Sequence, residues 1–498
     1  MNLNVEDRPA DLVIPDLQEI LHALRAVVPE HCILFRAEQK KPYECDGLSL
    51  YRQIPMVVVL PETEEQVRGV LRACRRLNVP VVTRGAGTGL SGGAMPHAQG
   101  VLLGMAKFNR IKLIDPESAI AVVEPGVRNL AVSQAASQHG LYYAPDPSSQ
   151  IACTIGGNVA ENSGGVHCLK YGLTLHNVMQ VRMITLDGEV LVLGGEAPDA
   201  AGPDLLSVAI GSEGMLGVVT EVVLRLLPTP GLAKVIMASF EDVEAAGDAV
   251  AAVIAAGIIP AGLEMMDQRA TEMVEPFVQA GYDLNAKAIL LCESDGTELE
   301  VEQEIARMQQ VLSDAGATRL QVSQNEAERV RFWAGRKNAF PAAGRVSPDY
   351  YCMDGTIPRS QLARVLREIE SMEQAYGLRC ANVFHAGDGN LHPLILFDSN
   401  DSDEVYRADL FGAAILELCV QVGGTITGEH GVGMEKINQM CVQFQREELD
   451  AFLSVKRSFD PDGLLNPDKV IPTLARCAEY GKMHVHGGKL PFADLPRF

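Results

Sequence analysis

The sequence predicts an α+β protein of two domains, and three observations support this fold class. Between residues 101 and 225, short runs of β-branched residues alternate with turn signals, which is typical of strands. Beyond residue 231, long segments with helical spacing are separated by short apolar strands. The tetrapeptide Pro-Thr-Pro-Gly at 228–231 separates the two patterns. We therefore predict an N-terminal arm at 1–55, a first domain at 56–228, a second domain at 229–470 and a C-terminal tail at 471–498.

The charge of the chain limits its partners. It has 42 lysines and arginines against 64 acidic residues, a net charge of −22. Such an excess opposes nonspecific binding to nucleic acid and to anionic membrane surfaces, so we expect no nucleic-acid partner. An anionic substrate would need a local cluster of positive charge.

Two further features of the composition exclude classes of protein. The eleven cysteines contain no C-x-x-C pair, which argues against a zinc ribbon or an iron–sulfur cluster. The longest uncharged apolar stretch, 249–263, is too short to span a bilayer and contains Pro260. The acidic amino terminus does not have the character of a signal peptide. We therefore expect a cytoplasmic protein without a direct membrane span.

The first domain begins with a strand, a helix and a second strand that lead into a glycine-rich loop. Residues 56–60 are apolar, and 64–77 have helical spacing with Thr63 as a plausible N-cap. The strand at 79–84 is followed by five glycines in the nine residues 85–93. A loop so rich in glycine brings backbone N–H groups close to a ligand, and phosphate is the usual one. A tight surface loop is the alternative.

Residues 87–92 also match G-x-G-x-x-G, the pattern of a Rossmann dinucleotide site. That site requires a helix to open at the third glycine. Here Gly93, Pro96 and Gly100 interrupt, and the next ordered segment, at 101–105, has the character of a strand. We therefore reject a Rossmann dinucleotide site here and predict a strand, a glycine-rich loop and a second strand.

Two more glycine-rich segments follow in the same domain, at 155–172 and 211–217. Between them the pair Asp187-Gly188 predicts a hairpin. Three glycine-rich segments in one domain indicate a long, extended ligand. The second domain then contains helical patterns separated by antiparallel-type strands, with the helices predicted at 243–256, 298–315, 361–376 and 407–422.

Residues 382–393 predict a hairpin that brings two histidines together. A two-residue type I′ turn at Asp388-Gly389 would place His385 opposite His392, and directly opposed residues share one face of a sheet. Glu429, after the strand-like 424–428, offers a carboxylate, so these three residues form a candidate metal set with open positions. The alternative is a pair of surface histidines.

Six motifs in order carry a family resemblance. They are the segments at 81–89 (VVTRGAGTG), 155–158 (IGGN), 211–217 (GSEGMLG), 384–392 (FHAGDGNLH), 428–433 (GEHGVG) and 465–469 (LNPDK). The chain resembles the FAD-linked 2-hydroxy acid dehydrogenases of the vanillyl-alcohol oxidase superfamily, including the FAD-linked subunits of bacterial glycolate oxidases. The resemblance implies an FAD-binding domain of two subdomains, a ferredoxin-like capping domain for the substrate, and FAD between them.

The resemblance also implies the residues that contact FAD. Relatives with covalent flavin carry a histidine near the position of Thr88, and this chain has none between Pro80 and Pro96, so we expect FAD to bind without a covalent link. The residues carried over are Arg84, Gly85, Ala86, Gly87, Thr88, Gly89, Pro147, Gly156, Gly157, Asn158, Gly164, Tyr171, Gly172, Glu213, Gly214, Gly217 and Asn466.

The candidate metal suits the chemistry that the resemblance implies. Zinc, manganese or iron held by His385, His392 and Glu429 would chelate the hydroxyl and carboxylate oxygens of a 2-hydroxy acid and acidify the hydroxyl. His430 would take that proton. The fork of Arg336 suits the substrate carboxylate, although a structural ion pair is the alternative.

The resemblance further implies substrate class and partners. Dicarboxylate-oxidising relatives carry a lysine where this chain has Cys352, which favours a small monocarboxylate, glycolate first and D-lactate as the alternative. With no cysteine cluster of its own, the chain would pass electrons to a second FAD-type subunit and an iron–sulfur subunit, at the inner face of the membrane. A flavin electron carrier or assembly subunit without turnover is the alternative of another class.

Overall fold

The computed structural model describes residues 15–197 and 202–472. Its first part forms a four-stranded sheet flanked by helices. The elements are α1 (Leu17–Arg25), β1 (Ile33–Leu34), α2 (Ala37–Lys40), β2 (Val57–Val59), α3 (Glu64–Leu77), β3 (Val81–Arg84) and β4 (Val101–Gly104). The strand order is β1-β2-β4-β3, in which β1 pairs antiparallel and the others are parallel. The glycine loop at 85–93 leaves the end of β3, and β4 follows it as predicted.

Helix α3 shows why the sequence folds as it does here. The Thr63 hydroxyl accepts a hydrogen bond from Gln66 N at 3.3 Å, so the predicted N-cap is confirmed. The helix ends at Leu77, and the C-cap residue Asn78 has a left-handed φ of 54°. Between them Val67, Val70 and Leu71 are buried against the sheet.

The predicted arm is not separate from the first domain within the residues described. Strand β1 pairs with β2, and the buried side chains of Ile20, Leu21 and Leu24 on α1 join the core beneath the sheet. The described part of the arm therefore packs on the first domain, because the apolar face of a helix is buried against a sheet.

The second part of the first domain is a five-stranded antiparallel sheet. Its elements are β5 (Ile111–Asp115), β6 (Ile120–Val123), α4 (Asn129–Ala136), β7 (Leu141–Tyr142), α5 (Ile155–Glu161), α6 (Cys168–Tyr171), α7 (Thr174–Asn177), β8 (Val178–Ile184), β9 (Val190–Gly194), α8 (Leu205–Ala209), β10 (Val218–Arg225) and β11 (Leu227–Pro228). The order is β5-β6-β10-β8-β9, and β7 pairs with β11. The hairpin predicted at Asp187-Gly188 connects β8 to β9.

The second domain is built on a seven-stranded antiparallel sheet. Its elements are β12 (Leu232–Phe240), α9 (Val243–Ala255), β13 (Gly262–Asp267), α10 (Gln268–Val278), β14 (Ala288–Gly296), α11 (Glu298–Asp314), β15 (Arg319–Val322), α12 (Glu326–Lys337), α13 (Ala339–Val346), β16 (Asp349–Cys352), α14 (Leu362–Tyr376), β17 (Arg379–His385), β18 (Asn390–Phe397) and α15 (Ser402–Gln421). The order is β15-β12-β14-β13-β17-β18-β16.

This order contains the ferredoxin-like arrangement that the resemblance implies. Numbered from the start of the domain, its first four strands lie in the order 4-1-3-2, and the last three strands extend that sheet beyond β13. Helices α9, α11 and α14 occupy the predicted positions. Helix α15 begins at Ser402 rather than at 407, because the Asp401 side chain accepts hydrogen bonds from Asp403 N and Glu404 N.

The chain returns to the first domain after the second. Helices α16 (Ile437–Gln443) and α17 (Arg446–Phe459) precede a segment in which Val81 N donates to Leu464 O at 2.8 Å. The segment at 464–466 thus packs beside β3 of the first domain, and the predicted tail lies outside the described residues from 473 onward. Among the helices in the described ranges, none combines the length and apolar character that a bilayer crossing demands.

Candidate active site

A cavity of about 510 Å³ lies where the glycine-rich segments of the first domain meet the second domain. The second domain contributes Tyr350, His392, Glu429 and His430 to its wall. The first domain contributes most of the residues predicted to contact FAD, and those that line the cavity are Gly85, Ala86, Gly87, Thr88, Gly89, Pro147, Gly156, Gly157, Asn158, Glu213, Gly214 and Gly217. The predicted FAD segments therefore border the same space as His430 and as two of the three predicted metal ligands, His392 and Glu429.

Two other predicted FAD residues support this wall from behind. The Arg84 Nη1 donates to Cys45 O at 2.6 Å, and a Cβ added at Gly87, which has a φ of 71°, would lie 2.2 Å from Arg84 Nη2. Asn466 Nδ2 donates to Gly93 O at 3.0 Å and to Glu213 O at 2.6 Å. Both side chains hold the glycine-rich loops in place rather than line the cavity.

Tyr171 and Gly172 lie away from the cavity. The Tyr171 hydroxyl donates to Asp295 Oδ1 and Oδ2 at 2.8 Å each, which ties the first domain to β14 of the second. A Cβ at Gly172 would lie 2.7 Å from the His176 ring. Ser163 lines the cavity but none of the residues 164–172 does, so neighbours in sequence do not all share the wall. Neither residue therefore lines the cavity as the resemblance implies.

The predicted metal set comes together in the structure. One ligand atom from each of His385, His392 and Glu429 lies within 4.8 Å of the others. The Glu429 Oε1 is 3.2 Å from His385 Nε2 and 3.0 Å from His392 Nε2. Gly164 lies directly beside them, since a Cβ there would be 2.5 Å from Glu429 Oε2. Two imidazole nitrogens and one carboxylate oxygen are a suitable donor set for a divalent transition metal.

The hairpin that carries the two histidines has a different register from the predicted one. The turn has four residues instead of two, and Gly389 N donates to His385 O at 3.0 Å. His385 therefore pairs with Asn390, and His392 pairs with Val383. Positions 383 and 385 lie on the same face of β17, so the histidines meet diagonally, with ring centroids 4.9 Å apart. The predicted direct pairing is wrong, but the predicted convergence occurs.

A buried carboxylate that the sequence analysis missed lies behind His385. Glu264 Oε1 is 2.7 Å from His385 Nδ1, and Glu264 Oε2 accepts from Arg336 Nε at 2.6 Å. A carboxylate on the far nitrogen of a ligand histidine fixes the ring and raises its basicity. The signal was a single acid inside the apolar strand at 262–266, which we did not interpret.

Arg336 is thus part of the structural ion pair considered as the alternative. Its side chain is 1% exposed, and it does not line the cavity. Its Nη2 nevertheless lies 3.3 Å from His385 Nε2. The guanidinium is therefore beside the cluster, with its orientation set by Glu264.

His430 lies on the other side of the cluster. Its ring stacks on His392 with centroids 4.9 Å apart and an interplanar angle of 10°, and its Nδ1 is buried without a hydrogen-bond partner. Burial lowers the pKa of His430 to about 4, although the nearby Asp354 carboxylate acts in the opposite direction, so the imidazole is neutral and can accept a proton. Burial would raise the pKa of Glu429, but His385 and His392 outweigh it and hold the pKa well below its ordinary value.

Comparison with known proteins agrees with this architecture. Residues 55–194 match the family model described as FAD binding domain, and 229–470 match the model described as FAD linked oxidases, C-terminal domain. The chain is 61% identical over 500 residues to the glycolate oxidase subunit GlcD of Escherichia coli (strain K12), with 100% of both chains covered.

A more distant relative is the mitochondrial D-lactate dehydrogenase [cytochrome] of Arabidopsis thaliana, at 31% identity over 84% of this chain and 74% of the relative. Among solved structures, p-cresol methylhydroxylase with substrate bound matches with a TM-score of 0.78 and 18% identity, over 90% of this chain and 96% of that chain. That likeness shows the fold, which is of the vanillyl-alcohol oxidase type. Because both domain models match in order and a relative of 61% identity spans the whole chain, the protein belongs to the family of FAD-linked oxidases.

Proposed function

We propose that the protein oxidises a small 2-hydroxy acid, glycolate first, to the corresponding 2-oxo acid. The observation that carries the proposal is that His392, Glu429 and His430 open into the same cavity as the FAD-binding glycine segments. A substrate bound at the cluster would therefore lie against the flavin. The name of the E. coli relative supports glycolate, and that of the A. thaliana relative supports D-lactate as the second candidate.

In this proposal His385, His392 and Glu429 hold a divalent metal, with zinc, manganese or iron as candidates. The metal would supply a Lewis acid that acidifies the substrate hydroxyl. His430 accepts the hydroxyl proton, since its ring is neutral and stacks on a ligand ring. FAD, when bound without a covalent link, supplies the acceptor for the hydride of the substrate Cα. Glu264 and Arg336 hold His385 in position from behind.

The substrate carboxylate has two candidate partners. Arg336, the partner that the family resemblance implies, lies beside His385, with Nη2 3.3 Å from His385 Nε2. Lys337 is the next residue in α12, and among the described residues that line the cavity it is the only lysine or arginine. The variants Arg336→Lys and Lys337→Met distinguish these two candidates. Substitution of the residue that binds the substrate carboxylate should raise KM for glycolate, because the positive charge is displaced or removed.

Reduced flavin must then pass its electrons on. The E. coli relative is named as a subunit of glycolate oxidase, which supports assembly with other chains. We propose a second FAD-type subunit and an iron–sulfur subunit, at the inner face of the membrane. A flavin carrier without turnover would have no use for His430 beside the cluster, and this distinguishes the two classes of function.

The test is anaerobic flavin reduction by a panel of 2-hydroxy acids, with metal analysis of the same sample. We expect glycolate and D-lactate to reduce the flavin, and His430→Asn to slow reduction by roughly 10²- to 10⁴-fold while FAD content stays constant. His139→Asn, at an exposed position, is the matched control. Equal reduction rates in wild type and His430→Asn would remove the proposed proton acceptor, and no reduction by any acid in wild type would remove the proposed function.

A further inference from the structure

The loop that presents Glu429 and His430 is held by one buried carboxylate, Asp354, which follows β16. Asp354 is 0% exposed. Its side chain accepts three successive backbone N–H groups, from Gly428 at 3.1 Å, Glu429 at 3.1 Å and His430 at 2.9 Å. Three consecutive peptide N–H groups that converge on one anion form a fixed backbone nest. The loop therefore has little freedom where both functional side chains leave it.

A second buried charge holds the other end of the same loop. Lys436 is also 0% exposed, and its Nζ donates to Asp354 Oδ2 at 3.0 Å and to Gly431 O at 2.9 Å. The Thr427 hydroxyl donates to Asp354 Oδ2 at 2.5 Å. Asp354 thus binds the N–H donors of this short turn, and Lys436, in contact with Asp354, binds the Gly431 carbonyl of the same turn. Burial of both charges is compensated because each has a charged partner and further hydrogen bonds.

We infer that Asp354 is a positioning residue whose carboxylate sets the direction of the Glu429 and His430 side chains toward the cavity. The inference rests on the proposed function for the role of those two side chains, but its structural part concerns the loop alone. Asp354 does not line the cavity, so its action is through the backbone of the loop. Asp354 is not part of the sequence motif at 428–433, because it lies more than seventy residues earlier in the chain.

The experiment uses Asp354→Asn, which retains the shape of the side chain but replaces one acceptor oxygen by an N–H donor. Asp267→Asn is the matched control. Asp267 is a half-buried aspartate at the end of β13 whose side chain also accepts backbone N–H groups, from Ala270 and Asn382. Hydrogen exchange of the peptides that cover 426–434 is measured by mass spectrometry, and metal retention is measured by dialysis of the FAD-loaded protein against graded chelator.

We expect Asp354→Asn to accelerate exchange of the amides at 428–430 and to weaken metal binding by roughly 10- to 100-fold, with FAD content unchanged. Asp267→Asn should leave both readouts at the wild-type value. The inference is overturned if exchange in the loop is unchanged, or if both variants accelerate it equally. If Asp354→Asn does not fold, Thr427→Val removes one hydrogen bond to the carboxylate and should change both readouts in the same direction.

Failure of the proposed function gives a different pattern. A wild-type protein that retains no metal and is not reduced by 2-hydroxy acids would contradict the proposed function, while loss of loop protection in Asp354→Asn would still support the structural inference. Normal metal retention and turnover in Asp354→Asn would instead contradict the positioning role alone.

Discussion

The two ends of the cavity differ in the chemical groups that form their walls. At the FAD end the wall is backbone, brought close by glycines such as Gly85, Gly87 and Gly156, with side chains behind it for support. At the other end the wall is a set of ionisable side chains, the buried His392 on a strand and the half-buried Glu429 and His430 on a loop. One site depends on the absence of side chains and the other on their exact pairing.

This difference predicts how each end responds to mutation. A backbone site is damaged by added volume, whereas a site of buried charges is damaged by the loss of any partner, since the remaining group is left buried and unpaired. The two ends should therefore be separable, because each can be disabled while the other still binds its ligand.

Glu429→Gln should have the largest effect. Glu429 is the carboxylate shared by both histidines, and its neutral amide no longer offers the charge that a divalent metal requires. We expect metal content to fall to background and flavin reduction by glycolate to slow by on the order of 10³-fold, since a catalytic metal is worth several kcal/mol. FAD content should not change. Loss of FAD together with the metal would show that the two ends are one cooperative site.

Gly87→Ala should have the opposite pattern. The added Cβ would lie 2.2 Å from the Arg84 guanidinium, at a φ of 71°, and a left-handed conformation alone costs an L-residue about 1–2 kcal/mol. We expect FAD affinity to fall by roughly tenfold or more, with metal content unchanged. The matched control is Gly140→Ala, which has a φ of 67° but no atom within 4 Å of the added Cβ. Equal loss of FAD affinity in both variants would exclude a local effect of the loop.

More of the residues at the FAD end of the cavity than of the contacts at the other end could be predicted from the sequence. The glycine segments are continuous in sequence, so most of their residues could be placed from motifs. The predicted convergence of the two histidines holds although the predicted turn was two residues too short, because positions 383 and 385 share one face of the strand. Glu264 and Asp354 could not be placed, because each acts on a residue distant in sequence and only tertiary packing shows the contact.

The two ends of the cavity stay together only while the two domains keep a fixed relative position, and His167 is one residue that holds the domains. Its Nδ1 lies 2.8 Å from Asp146 Oδ2 in the first domain, and its Nε2 lies 3.2 Å from Glu293 Oε1 in β14. Burial would lower the pKa of His167, but Asp146 and Glu293 raise it from 6.5 to about 10. The charged imidazole therefore connects a carboxylate on each side of the domain interface.

His167→Gln should reduce stability in a pH-dependent way. Because the pKa is raised in the folded protein, the stabilisation is complete below pH 6.5 and is lost as the pH rises through about 10. We expect the free energy of unfolding of the wild type to exceed that of the variant by roughly 1–3 kcal/mol at pH 6. This difference should shrink steadily above pH 6.5. Denaturant unfolding of both proteins from pH 6 to 10 measures it. A difference that is constant with pH would show that His167 is neutral in the interface.

Tyr171 should give the smallest effect, and it decides a point on which the family resemblance and the geometry differ. The resemblance assigns this residue to the flavin, whereas its hydroxyl contacts Asp295 and its ring meets Tyr142 edge-on, with centroids 6.2 Å apart. We expect Tyr171→Phe to cost about 1 kcal/mol of stability through the lost hydrogen bond. Tyr171→Leu should cost about 1 kcal/mol more through the lost ring contact. Neither should change FAD affinity by more than about twofold, since a twofold change is only about 0.4 kcal/mol. A tenfold loss of FAD affinity in Tyr171→Leu but not in Tyr171→Phe would show that the ring reaches the flavin when FAD is bound, and the FAD end would then include a side-chain contact that its backbone wall does not suggest.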